Sequence, residues 1–175
     1  RTVKGEFENY QTPEGEVPAT QLDIPWETCY SLYGWGWRKG ATLKSSKKVL
    51  AVLIEVVAKG GNFLLGVGPK PDGTIEEQAV DRVTTIGKWL DKNGEAIYAT
   101  VNARKYNDGN VWFTQSKDGK KMYAMYALKE DDPEVPAVIE WTGNIPAGKK
   151  VTLLSTGKRV KCEVDGDLSL IHISE

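Results

Sequence analysis

The sequence predicts an α/β region followed by an all-β region, and three observations carry that expectation. Between Ser45 and Gly94 an amphipathic helical pattern, a short apolar run and a second helical pattern follow one another, the repeating unit of a parallel-sheet protein. At 111–128 an Asp-Gly pair separates two β-rich runs, which is a hairpin signal. Beyond it, short apolar runs divided by turn residues continue as in an antiparallel sandwich.

Residues 5–40 are rich in Gly, Pro, Glu and aromatics without a clean period, so they read as loops around one short strand. Ser45 or Ser46 then caps a helix whose apolar face is Val49, Leu50, Leu53, Ile54, Val56 and Val57, and Gly60-Gly61 stops it. Asn62-Phe63-Leu64-Leu65-Gly66-Val67-Gly68-Pro69 is a continuous apolar run bounded by Gly and Pro, the pattern of a strand buried on both faces. Asp72-Gly73 gives a turn, and Thr74 with Glu77 forms a capping box ahead of Val80, Val83, Ile86 and Leu90, with Gly94 as the stop. A boundary falls near 99–107, where Asn102, Asn107, Asp108 and Gly109 collect. Val111–Gln115 and Met122–Leu128 pair across a type I′ turn at Asp118-Gly119. Further strands are expected at 137–141, 151–154 and 159–164.

The final eight residues, Leu168-Ser169-Leu170-Ile171-His172-Ile173-Ser174-Glu175, resemble the translation of a sequencing-library adapter read through in frame. They are expected to lie outside the fold, the alternative being an edge strand. The chain also opens on Arg1-Thr2-Val3-Lys4-Gly5 without an initiator Met, which reads as part of a longer protein.

Composition narrows the chemistry. With 175 residues the chain is short of the roughly 250 of a complete (β/α)8 barrel. Lys and Arg number 23 against 24 Asp and Glu, a net charge of −1, which argues against a nucleic-acid partner. No apolar run approaches the roughly 18 residues of a membrane span. Cys29 and Cys162 have no CxxC or Cys/His spacing, so neither a disulfide framework nor a metal site is expected. The single histidine, His172, lies in the adapter-like tail and is given no chemical role. A triad or zinc hydrolase is therefore unsupported.

Carboxylates and aromatics remain. Tyr10-Gln11-Thr12-Pro13-Glu14-Gly15-Glu16-Val17-Pro18 sets Glu14 in a loop fixed by Pro and Gly, and Trp26, Trp35 and Trp37 follow. A carboxyl in a rigid loop among aromatic rings suits glycoside hydrolysis, where it protonates the leaving oxygen while the rings stack on sugar faces. A glutamate in a turn is also common solvated surface, and clustered tryptophans are commonly core.

Thr12-Pro13-Glu14, Pro25-Trp26-Glu27-Thr28-Cys29, Gly34-Trp35-Gly36-Trp37, Gly60 to Pro69, Asp72-Gly73-Thr74-Ile75 and Asn93-Gly94-Glu95-Ala96-Ile97-Tyr98 together resemble the α-L-fucosidases of glycoside hydrolase family 29, in order and spacing. The resemblance covers about residues 1–100, and 101–167 look like the opening of that family's C-terminal β-sandwich. It implies the C-terminal end of a (β/α)8-like barrel followed by part of an antiparallel β-sandwich. It also implies a retaining hydrolase acting on fucosylated glycans without a cofactor or metal, secreted or periplasmic.

In that family an Asp on an earlier strand attacks the anomeric carbon and a Glu on a later loop is the acid/base. By resemblance Glu14 is the candidate, Glu16 its nearest rival because the loop varies in length, and Glu27 the third. Glu27 also reads as a buried carboxylate bonded to backbone. Trp35 matches the aromatic that packs on the fucose methyl side, with core packing as the other reading. Arg1 resembles an Arg that lies against the nucleophile. Gly66 departs from the pattern, since relatives commonly carry Asn there. A non-catalytic carbohydrate-binding protein using Trp35, Trp37 and the sandwich is the alternative from another class, and a barrel hydrolase of different glycan specificity is a third.

Overall fold

A computed structural model describes residues 10–173. Two short parallel strands come first: β1 (Glu27–Ser31) pairs in register with β2 (Asn62–Gly66), Glu27 opposite Asn62 and Ser31 opposite Gly66. Helix α1 (Ser46–Ala58) crosses between them and α2 (Glu77–Asn93) follows β2. Then come β3 (Thr100–Asp108), β4 (Val111–Ser116) and β5 (Met122–Tyr126), an antiparallel sheet in that order. Strands β6 (Val138–Thr142), β7 (Val151–Thr152), β8 (Arg159–Asp165) and β9 (Leu168–His172) form a second antiparallel sheet of order β6-β9-β8-β7.

The ends of α1 follow the local signals. Ser45 accepts a 3.0 Å bond from the Lys48 backbone N–H, satisfying one of the donors that a helix N-terminus leaves open. At the other end Gly60 sits at φ +80°, its N–H donating to Val57 O and that of Gly61 to Val56 O. That is the Schellman arrangement, which requires a left-handed residue and so favours glycine. Gly61 is needed for another reason: a Cβ there would lie 2.4 Å from the Trp26 ring.

Several expectations are corrected. Strand β2 is not buried on both faces: Leu64 is 51% exposed while Phe63 and Leu65 are half-buried, because among the described residues β1 is its one partner strand and one face meets the helices. Thr74 does not cap α2. Its N–H and hydroxyl both donate to Asp72 Oδ1, so the local Asx turn takes the group the capping box needed, and the helix starts two residues later without a side-chain cap. The α2 face is also displaced, since Ala79 and Ile86 are buried whereas Val80 and Val83 are exposed. Gly94 ends α2 with ordinary right-handed backbone, φ −59°. Its lack of a side chain serves the Tyr98 ring, which a Cβ would meet at 2.8 Å.

Strand β3 (Thr100–Asp108) runs through the stretch where the boundary was expected, with a register shift between Asn102 and Asn107. The turn at Lys117–Lys120 is not type I′. Gly119 is its one residue with positive φ, and its N–H donates to Ser116 O, as in a type I turn followed by a left-handed glycine. Residues 168–172, expected outside the fold or at an edge, form β9 between β6 and β8. Alternation explains the placement, for Ser169 and Ile171 point inward and are buried while Leu168, Leu170 and His172 are half-buried.

Three apolar clusters hold these parts. One joins Tyr30, Leu32 and Tyr33 to Val49, Ala79 and Ile86. A second joins Leu53 and Ile54 of α1 to Ala96, Ile97, Met125 and Ala127. The third lies between the antiparallel sheets, with Ala103, Val111 and Phe113 against Trp141 and Ile171, and the Phe113 and Trp141 rings meeting edge to face at 5.6 Å.

Candidate functional site

The segment before β1 behaves as a short third member of the parallel sheet. Gln11 bridges Trp26 and Glu14 bridges Cys29, both parallel. The Glu27 N–H donates to Gln11 O, the Cys29 N–H to Pro13 O and the Gly15 N–H to Cys29 O. Side by side, then, run residues 11–14, β1 and β2, all in one direction. The C-terminal ends of parallel strands are where loops are free to converge into a site.

Glu14 stands at that end of the first segment and is exposed. Gly15, at φ +70°, turns the chain immediately after it. The following loop is pulled back onto β1 by the buried Thr28, whose hydroxyl donates to Glu16 O at 2.6 Å and to Pro13 O at 3.3 Å. Glu16 is therefore exposed beside Glu14 but with its backbone fastened to the sheet. Glu27 lies at the opposite end, the first residue of β1, and is half-buried.

Trp35 follows the C-terminal end of β1 and is 90% exposed. An indole in that position contributes almost no burial among the described residues. Trp26 is core at 1% exposure, and Trp37 packs on the cluster of Tyr30, Leu32 and Tyr33. The Gly34–Trp37 loop rests on Gly68, where a Cβ would lie 2.3 Å from Trp37 N and 2.8 Å from the Gly36 carbonyl carbon. Tyr33, beneath the loop, donates its hydroxyl to Glu76 Oε2 at 3.0 Å, and burial raises its pKa with that glutamate adding to the effect.

The structure thus brings Glu14, Glu16 and Trp35 to the same end of adjacent parallel segments and leaves Glu27 at the other. Arg1 lies outside the described residues. A Cβ at Gly66 would meet only ordinary contacts, 3.5 Å from Tyr30 O and 3.7 Å from Ser31. His172 sits in β9, with Nε2 3.2 Å from Glu163 Oε1, in a different sheet from Glu14. Among the described residues no group of three or more His, Cys, Asp and Glu gathers as a metal site, and no helix is long and apolar enough to cross a membrane. Thr28, Gly68 and Lys44 all fix the loops bearing Glu14 or Trp35; Thr28 and Gly68 lie within segments that carry the family resemblance, whereas Lys44 lies in none of them. Their role depends on which backbone atoms face them.

A family model for alpha-L-fucosidase matches residues 1–95. The chain is 35% identical over 158 residues to the tissue alpha-L-fucosidase of Bos taurus, covering 87% of this chain and 33% of that protein. It is 32% identical over 169 residues to that of Homo sapiens, covering 92% and 35%. It therefore spans about a third of the length of the curated relatives it matches. Among solved structures, alpha-L-fucosidase isoenzyme 1 from Paenibacillus thiaminolyticus aligns with a TM-score of 0.79 at 27% identity over 95% of this chain and 41% of its own. The Thermotoga maritima alpha-fucosidase in complex with fucose aligns at 0.75 and 26% identity, over 95% and 38%.

Proposed function

Since this chain belongs to the alpha-L-fucosidase family, we propose that it carries the acid/base part of a retaining glycoside hydrolase that removes terminal α-L-fucose from glycans. Residues 1–100 are assigned to the end of a (β/α)8-like barrel, and 101–167, together with the strand β9 that follows, to part of a β-sandwich. What supports the proposal is the placement of Glu14 and Trp35 at the C-terminal ends of neighbouring parallel segments.

Glu14 is assigned as the general acid that protonates the departing glycosidic oxygen. In the second step the same group, now a carboxylate, takes a proton from the water that releases fucose. Trp35 is assigned to the methyl side of the sugar, where an apolar ring leaves a hydroxyl without a partner and so favours a 6-deoxy sugar. The nucleophilic Asp is assigned to a part of the enzyme outside these 175 residues, about 5–5.5 Å from Glu14 across the scissile bond. Arg1 would lie beside that Asp. No step needs a metal or organic cofactor.

The test is Glu14→Ala in the full-length enzyme. Its rate should fall by about 10²–10⁴ on substrates with poor leaving groups and much less on activated aryl fucosides, with recovery by added azide. An unchanged Glu14→Ala beside a crippled Glu16→Ala would move the role to Glu16. The purified 175-residue chain should release no nitrophenol from an aryl fucoside, because it carries one carboxyl of the pair. The exposure of Trp35 would equally suit a non-catalytic sugar platform. That reading predicts glycan binding by a full-length protein that hydrolyses no aryl fucoside, with or without Glu14.

A further inference from the structure

Granted Trp35 as the sugar-facing ring proposed above, we infer that Lys44 is the positioning residue that fixes the Trp35 loop, by holding three consecutive carbonyls where β1 ends. The Lys44 ammonium donates to Ser31 O at 2.6 Å and to Tyr33 O at 2.9 Å. Its own backbone N–H donates to Leu32 O at 3.0 Å. Ser31 is the last residue of β1 and Tyr33 directly precedes Gly34-Trp35. One residue thus satisfies the carbonyls of Ser31, Leu32 and Tyr33, on the way from the sheet to the exposed indole.

The geometry is a built site for an ammonium. The Nζ lies 4.8 Å from the Tyr30 ring centroid, close enough for a cation–π contact. Among the described residues no carboxylate is within ion-pair distance of Lys44. The charge therefore serves backbone dipoles and one ring rather than an acidic partner. Backbone carbonyls beyond the last sheet pairing are costly to leave unmet in a part-buried setting, and Leu32 and Tyr33 are both buried.

Lys44 shares the loop base with other supports, among them the Tyr33 N–H, which donates to Ser31 Oγ at 3.3 Å. The Leu32 N–H is tied to Gly66 O, the Tyr33 hydroxyl to Glu76, and the far arm of the loop abuts Gly68. Without the ammonium, Ser31 O and Tyr33 O turn to water. The segment between Ser31 and Gly34 then gains rotational freedom, and the indole at its tip samples a wider volume. Since stacking on the sugar acts in the bound ground state and in the transition state alike, loss of position should appear in KM more than in kcat.

The test has two arms. In the 175-residue chain labelled with 5-fluorotryptophan, six ¹⁹F signals are expected, and Trp35→Phe identifies the one belonging to Trp35. Lys44→Met should shift or broaden the Trp35 signal while those of Trp112 and Trp141 stay in place. If Lys44→Met does not fold, Lys44→Gln keeps donors but is too short to span both carbonyls and carries the same expectation. An unmoved Trp35 signal in a folded variant overturns the inference. In the full-length enzyme, Lys44→Met should raise KM for an aryl fucoside roughly tenfold with kcat within about twofold, and Lys44→Arg should recover part of it. A moved ¹⁹F signal with unchanged KM leaves Lys44 as the anchor and removes Trp35 from the sugar site.

Discussion

Thr28 shows how one hydroxyl sets the geometry of the loop that follows Glu14. Fully buried on β1, it donates to Glu16 O and so draws the turn after Glu14 onto the sheet. Thr28→Val keeps the shape and leaves that carbonyl unmet, so stability should fall by about 1–3 kcal/mol in urea denaturation. Two glycines give a sharper contrast. At Gly61 a Cβ would strike the Trp26 ring at 2.4 Å, and that ring is locked in the core. Gly61→Ala should cost about 1–3 kcal/mol or more, as overpacking does. At Gly66, where the nearest atom is 3.5 Å away, Gly66→Ala should be neutral or gain up to about 1 kcal/mol, since strand glycine carries an entropic penalty. Urea midpoints of the two variants decide it: equal losses would show that the close approach at Gly61 is relieved by movement. The turn that carries Glu14 was legible because Pro13 and Gly15 flank it in sequence. Lys44 was not, since the three carbonyls it serves belong to a strand end more than ten residues away.

At the scale of elements, α1 was readable from end to end because its cap, apolar face and glycine stop are all local. Strand β3 was not. Its residues Asn102, Arg104, Lys105 and Asn107 are polar, and of its nine residues only Ala103 is buried, so no alternation marks it. Pairing with β4 and side-chain bonds to β6 create it instead. Asp108 is the centre of those bonds: Oδ2 accepts from the Thr142 N–H at 2.6 Å and from its hydroxyl at 3.1 Å, and Lys105 Nζ lies 3.5 Å from Oδ1. The Thr142 N–H is the main cause of a lowered Asp108 pKa, with Lys105 helping and partial burial opposing. A depressed folded pKa means that the stabilisation is complete above the unfolded value of about 4 and fades as pH falls through the folded one. Asp108→Asn should therefore be less stable than wild type at neutral pH, by a margin that is constant above about pH 5 and shrinks on acidification below about pH 4. Parallel pH-stability curves down to the acid limit would show that Asp108 does not make this link.

Over the whole molecule, α1 is the shared element. Val49 faces the parallel strands, and Leu53 and Ile54 face Met125 and Ala127 of the antiparallel part. The far sheet depends on β9 in a different way. That strand lies between β6 and β8, and β6 has no other partner strand among the described residues. Its alternation was visible in the sequence, yet its central position was not, because alternation says which side chains point inward and nothing about how many neighbours a strand has. Deleting residues 168–175 removes Ile171 from the cluster with Phe113 and Trp141 and leaves β6 with an unpaired backbone. Loss of the isoleucine side chain alone is worth roughly 2–5 kcal/mol, and loss of the ladder adds to it. Truncation should therefore red-shift Trp141 fluorescence and speed hydrogen exchange in β6 and β8, while amides of α1 and β2 keep their protection. By contrast, replacing Leu168 and Leu170 with threonine preserves the inward pair Ser169 and Ile171 and should leave the sheet intact. Equal damage from both changes would mean that the outward residues, rather than the alternation, hold β9 in place.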